Sequence, residues 1–146
     1  MNTMKKNGGF TLVELIIVIA ILAILSTGAI AGYSAYIKNA NDKATLSALN
    51  EISTSAVLAN AETGAIGSIE VVTDGENNIK ITVTGNLGDK FQPNFEAALT
   101  GDEKGTKGNG SYVITIKAPT AWKNSEYVRD GAKGATWNGS AWAVKQ

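Results

Sequence analysis

The sequence predicts an α+β protein: a long N-terminal helix, its first half transmembrane, packed on a small antiparallel β-sheet. Three observations predict it. An uncharged run dominated by Leu, Ile, Val and Ala extends from Leu15 to Ile37. A helical pattern continues beyond Lys38, with Leu46, Leu49, Ile52, Ala56, Val57 and Ala59 on one side and Glu51 and Glu62 on the other. From Ile66 onward the pattern changes to short alternating runs separated by turn residues.

The first run is long enough to span a membrane. As a helix, Leu15–Ile37 would extend about 34 Å at about 1.5 Å per residue, against a hydrocarbon core of about 30 Å. Lys5 and Lys6 precede it and predict a cytoplasmic N-terminus, with everything beyond Lys38 exported. One residue does not fit a plain membrane segment: the carboxylate of Glu14, at the start of the apolar region. A charged group there costs about 2.5 to 3.5 kcal/mol near a helix centre and less toward an end.

Past Lys38 the amphipathic helix runs to Gly64, a natural stop; a break near Asn39–Asp42 into two helices is the alternative. Ser68–Thr73 and Ile79–Thr84 read as a hairpin around an Asp74-Gly75-Glu76-Asn77-Asn78 turn. Pro93–Leu99, with Gly101 beyond its end, reads as a short helix in an otherwise polar, glycine-rich stretch reaching Gly110. Ser111–Lys117 alternates Tyr112, Ile114 and Ile116 against Val113 and Thr115, a third strand. Asn138-Gly139, between Trp137 and Trp142, signals a tight hairpin. A sheet with one apolar face against the second half of the helix gives the two-layer body. Trp122, Trp137 and Trp142 are assigned to the core or its covers rather than to a sugar-stacking surface.

Composition narrows the function. The 146 residues hold 13 basic and 13 acidic side chains, so DNA binding is unsupported by charge. There is no cysteine and no histidine, which removes thiol nucleophiles, disulfides, the usual zinc sites and the commonest general base. No spacing groups the carboxylates, lysines and hydroxyls into a catalytic set, and a non-enzymatic protein is expected, with no catalytic residues, metal or cofactor. Asp102 and Glu103 lie among glycines but lack the defined spacing of calcium ligands. Asn109-Gly110-Ser111 and Asn138-Gly139-Ser140 match a glycosylation sequon that is frequent by chance.

The first quarter of the chain carries the function. Lys5-Lys6-Asn7-Gly8-Gly9-Phe10-Thr11-Leu12-Val13-Glu14-Leu15 resembles the prepilin processing motif of bacterial type IV pilins and pseudopilins. The resemblance implies that a membrane peptidase cuts after Gly9 and that the new amine, on Phe10, is N-methylated. It implies that Glu14, five residues into the mature chain, pairs with the Phe10 amine of a neighbouring subunit during assembly. Leu12, Leu15, Ile16, Ile19, Leu22 and Leu25 would then lie on the helix that sits first in the membrane and later in a filament core. The implied organisation is a leader at 1–9, a transmembrane and assembly helix at 10–37, its amphipathic continuation at 38–63 and a globular β-sheet body at 64–146.

The implied function is that of a structural pilus subunit. It is held in the bacterial inner membrane as a prepilin and then polymerised into an extracellular filament at the cell surface. Its partners would be other copies of itself and related pilins, the prepilin peptidase, the pilus assembly machinery and, before assembly, inner-membrane lipid. Two alternatives stand beside it. One is a pseudopilin of a type II secretion or competence system. The other, outside the family, is a secreted soluble binding module cut at Ala29-Ile30-Ala31, ahead of Gly32. The chain departs from the family in having Ala31 where a proline usually precedes the membrane exit, although Gly28 and Gly32 bracket the position and weaken the helix there. It also lacks the cysteines of a C-terminal disulfide loop.

Overall fold

The computed structural model describes residues 8–73, 78–99, 103–119, 122, 125–127 and 134–145. Lys5, Lys6, most of the turn expected at Asp74–Asn78, Gly101 and Asp102 lie outside them. The chain divides into two compact units, Met1–Ile37 and Lys38–Gln146.

In the first unit the backbone is non-helical at residues 8–11 and enters the helix α1 (Leu12–Ala59) at Leu12. The apolar side chains of this unit cover nothing within it: Leu12, Leu15, Ile16, Ile19, Leu22 and Leu25 are each more than half exposed. Its helical hydroxyls bond to their own helix, Ser26 Oγ to the Leu22 carbonyl (2.6 Å), Thr27 Oγ1 to that of Ile24 (2.8 Å) and Ser34 Oγ to that of Ala31 (3.1 Å). A helix whose serine and threonine hydroxyls bond to its own carbonyls and whose exterior is apolar is suited to lipid. Secondary structure stays helical through Gly28–Gly32 and through Asn39–Asp42, so the expected alternative of two helices is not realised.

In the second unit, Thr45, Leu49, Ile52, Ser53 and Ala56 of α1 are buried. The expected apolar face is therefore correct at Leu49, Ile52 and Ala56, but Val57 is 45% exposed. At about 100° per residue Val57 lies a full step past Ala56, on the edge of the buried stripe. The helix ends at Ala59 rather than residue 63, and the chain turns through residues 60–63 to Gly64 at φ +137°.

The sheet has six strands: β1 (Ile66–Thr73), β2 (Asn78–Gly85), β3 (Thr106–Gly108), β4 (Ser111–Lys117), β5 (Gly134–Trp137) and β6 (Trp142–Val144), in the spatial order β3-β4-β2-β1-β5-β6. All its pairings are antiparallel. Alternation places Ile69 and Val71, Ile79, Ile81 and Val83, Tyr112 and Ile114, and Ala135 and Trp137 on the buried face. These pack with Leu49, Ile52 and Ala56 of α1 in one core, and Trp122 is also inside it. Trp142 is a half-buried cover.

The short helix α2 (Phe91–Leu99) starts two residues before the expected Pro93, which sits in its first turn, where a proline forfeits no helical hydrogen bond. Its Phe91 and Phe95 rings stack at 5.1 Å and meet Tyr112 edge-on at 5.5 and 5.7 Å. Strand β3 falls in the stretch read as polar and irregular. Gly108 pairs with Ser111, so Asn109-Gly110 is the central pair of a two-residue hairpin turn, with Gly110 at φ +70°.

The second Asn-Gly behaves differently. Trp137 pairs with Trp142 and the Asn138 N–H donates to the Ala141 carbonyl, which makes Gly139-Ser140 the central pair. Asn138 stands before the turn, and its Oδ1 accepts the Ser140 and Ala141 N–H groups. The hairpin forms where expected, with its turn displaced by one residue.

Candidate functional site

The candidate residues gather at the start of α1, where the local sequence Thr11-Leu12-Val13-Glu14 directs the chain into the helix. Thr11 is the last non-helical residue and Leu12 the first helical one. The first N–H groups of any helix lack intrahelical partners, and a Ser or Thr followed three residues later by Glu satisfies two of them reciprocally. Both halves of that arrangement are present. The Glu14 N–H donates to Thr11 Oγ1 at 3.3 Å, and the Thr11 N–H donates back to Glu14 Oε2 at 2.8 Å. The Thr11 hydroxyl adds a third bond, donating to the same Oε2 at 2.9 Å.

Glu14 thus has a local structural role that the reading of the sequence missed, although the signal was available: Thr-x-x-Glu ahead of an apolar run is the capping-box pattern. A carboxylate in the first helical turn also meets the positive end of the helix dipole. Both described donors fall on one oxygen, Oε2, and Oε1 accepts no hydrogen bond from the described residues.

Immediately upstream, Gly8, Gly9 and Phe10 are non-helical and exposed, and Phe10 is 85% exposed. The Gly9–Phe10 peptide bond therefore lies outside the helix, two residues before its first turn. A Cβ built on Gly8 or Gly9 would meet nothing within 4 Å, so the backbone there is open to approach. Downstream, Leu12, Leu15, Ile16, Ile19, Leu22 and Leu25 continue from the cap as exposed apolar surface. Gly9, Phe10, Glu14 and these apolar residues thus fall on one exposed terminus. The helix α1 is long and apolar enough to cross a membrane.

Two further polar constellations lie in the second unit and have structural roles. Glu96 Oε1 accepts the Gly105 N–H (2.8 Å), Gln92 Nε2 (2.9 Å) and the Tyr112 hydroxyl (3.0 Å). The Gly105 and Gln92 donors, helped by Tyr112, hold its carboxyl below the usual range against desolvation, while burial and the facing Glu96 push the Tyr112 hydroxyl up. Asp42 accepts the Glu126 N–H at 2.7 Å and pairs with Lys38 at 2.9 Å. Burial raises its pKa, but the Lys38 ammonium, the Glu126 N–H and Ser125 together outweigh that and hold it low. Among the described residues no group of three or more His, Cys, Asp or Glu is placed to hold a metal ion.

Residues 4–30 match the prokaryotic N-terminal methylation motif. The match supports a type IV pilin-like prepilin leader, and the chain that follows is α+β, with a long N-terminal helix and a six-stranded antiparallel sheet. No curated protein and no solved structure matches the chain.

Proposed function

We propose that this protein is a structural, non-enzymatic subunit of a type IV filament. In this reading it is cut after Gly9, N-methylated on Phe10 and polymerised through α1 by pairing Glu14 with the Phe10 ammonium of a neighbour. The observation that carries the reading is the order of features along one exposed terminus: a non-helical, exposed Gly9–Phe10 bond, a capped carboxylate, then an apolar helix with nothing of its own to cover.

The distances suit a membrane intermediate. From Glu14 to Tyr33 the helix rises about 28 Å at about 1.5 Å per residue, close to the about 30 Å of hydrocarbon. That register sets Glu14 at the cytoplasmic boundary, and Tyr33 and Tyr36, both exposed, at the opposite interface where aromatic residues concentrate. Lys38 then follows in the headgroup region. Lateral release into a filament keeps the apolar surface dry, so helix packing and charge pairing drive assembly more than escape from water does. A subunit added out of register leaves Glu14 without a counter-charge, which penalises wrong positions. Such head-to-tail contacts do not close, and one subunit type then gives an open helical filament.

A pseudopilin of a secretion or competence system uses the same terminus and is the second reading within the same chemistry. Helical structure through Ala29–Gly32 supports retention of the segment over cleavage there to release a soluble module. The test is Glu14→Ala, with sheared surface filaments quantified against the mature subunit in the membrane. Loss of filaments with the membrane pool intact is expected; wild-type filament yield would sink the reading. Filaments outside the cell at native expression separate a pilus from a short periplasmic or wall-spanning structure.

A further inference from the structure

The cap at the start of α1 bears directly on how Glu14 pairs. If the Thr11 bonds used the whole carboxylate, a neighbour's ammonium would have to displace them, and Thr11 would compete with assembly. The geometry points to the opposite arrangement. The Thr11 N–H and hydroxyl both converge on Oε2, at 2.8 and 2.9 Å, and Oε1 takes no hydrogen bond from the described residues. A carboxylate offers about four acceptor positions on its two oxygens, so one oxygen suffices for both Thr11 donors.

We infer that Thr11 is the positioning residue of the assembly carboxylate: it holds Glu14 through Oε2 while Oε1 receives the Phe10 ammonium of the next subunit, so that capping and pairing coexist. This rests on the filament reading above. Three features of the chain favour it. The cap uses only residues 11 and 14, and cleavage after Gly9 removes neither, so the same bonds serve the prepilin and the mature subunit. The Glu side chain has three rotatable bonds, and fixing them in advance removes an ordering cost that each pairing event would otherwise carry. A carboxylate that keeps two donors in the membrane is also less exposed to the cost of an unpartnered charge while it waits for its partner.

The coexistence model and a competition model predict opposite signs. Thr11→Val keeps the side-chain shape and removes the hydroxyl that both donates to Oε2 and accepts the Glu14 N–H. If capping positions the pair, incorporation falls; if capping competes, incorporation rises. Thr11→Ser keeps the hydroxyl and should restore assembly.

The experiment coexpresses epitope-tagged full-length variants with the untagged wild-type chain. It measures the tagged share in sheared filaments divided by the tagged share among cleaved subunits in the membrane. Thr11→Val is expected to lower this ratio about fivefold, the usual strength of a helix N-cap hydroxyl, with Thr11→Ser near wild type. On a Glu14→Gln background the same Thr11→Val change should have little further effect, because its influence passes through the carboxylate; a purely helix-stabilising role would not show this dependence. An unchanged or raised ratio for Thr11→Val, with Glu14→Gln strongly reduced, overturns the positioning role and leaves the filament reading intact. Equal losses from Thr11→Val on both backgrounds also overturn it. A wild-type ratio for Glu14→Gln contradicts the pairing of Glu14 itself, and with it both statements.

Discussion

Asn60 offers the sharpest test of what fixes the end of α1 to the sheet layer. It is 1% exposed, and its amide makes four hydrogen bonds. Nδ2 donates to the Gly64 carbonyl (3.1 Å) and the Asn86 carbonyl (3.0 Å), and Oδ1 accepts the Gly88 N–H (3.0 Å) and the Thr63 hydroxyl (2.9 Å). Asn60→Ala removes all four. At about 1 kcal/mol net each the loss would be about 4 kcal/mol. Thr63, Gly64 and Asn86 are exposed residues whose freed groups can bind water, while Gly88 is half-buried, so the expected cost is about 2 to 3 kcal/mol.

Asn60→Asp should cost at least as much despite its similar size. It preserves the acceptor for Gly88 and Thr63 but turns a carboxylate oxygen toward two carbonyl oxygens in a buried place. The assay is urea unfolding of the full chain in detergent, followed by the fluorescence of the buried Trp122 and Trp137. A loss below about 1 kcal/mol for Asn60→Ala, or an Asn60→Asp protein as stable as wild type, would refute the reasoning.

Two other perturbations have equally definite outcomes. Asp42 and Glu96 both have lowered folded-state pKa values, so their contribution to stability is fully present above the ordinary carboxylate range, about pH 4, and is lost as pH falls through the lowered values. Urea midpoints should therefore drop on acidification below about pH 4, and Asp42→Asn and Glu96→Gln should each flatten that limb while lowering stability near neutrality. An acid limb parallel to wild type in both variants would count against the assignment. Gly134→Ala would drive its new Cβ into the Val71 carbonyl and against Val72, where β5 pairs with β1. Hydrogen exchange should show β5 and β6 opening while β2 and β4 stay protected, and uniform protection would contradict the close approach.

How much of this was legible in the sequence depends on the distance over which each residue acts. Periodicity carried α1 and the strands β1, β2 and β4, because each reflects spacing within one element, while the burial of Trp122 and Trp137 followed from the size and apolar character of the tryptophan side chain. The cap at Thr11 and Glu14 was equally local and readable from four residues. The Asn109-Gly110 turn carries the Asn-Gly hairpin dipeptide, but β3 before it has only three exposed residues, Thr106–Gly108, and no apolar alternation to announce a strand. At Asn138-Gly139 the same dipeptide misled by one position, since the Trp137–Trp142 pairing fixes the register and leaves Gly139 as the first central residue.

Glu96 and Asn60 could not have been found in this way. Glu96 meets Gly105 and Tyr112, 9 and 16 residues away, and Asn60 meets Asn86 and Gly88, 26 and 28 residues away. Only the folded topology brings those partners together. Val57 shows the converse limit: a helical wheel marks the apolar side, whereas the width of the contact stripe is set by what packs against it.

The central claim is that the apolar helix stays on the product and begins at a new amine beside Glu14. The most direct test is the intact mass and N-terminal sequence of the mature protein purified from its native membrane or filaments. The account predicts a chain beginning at Phe10 and carrying one added methyl group on its α-amine. A chain beginning at Gly32 would contradict it, since the helix start, its cap and Glu14 would all have been discarded with the leader.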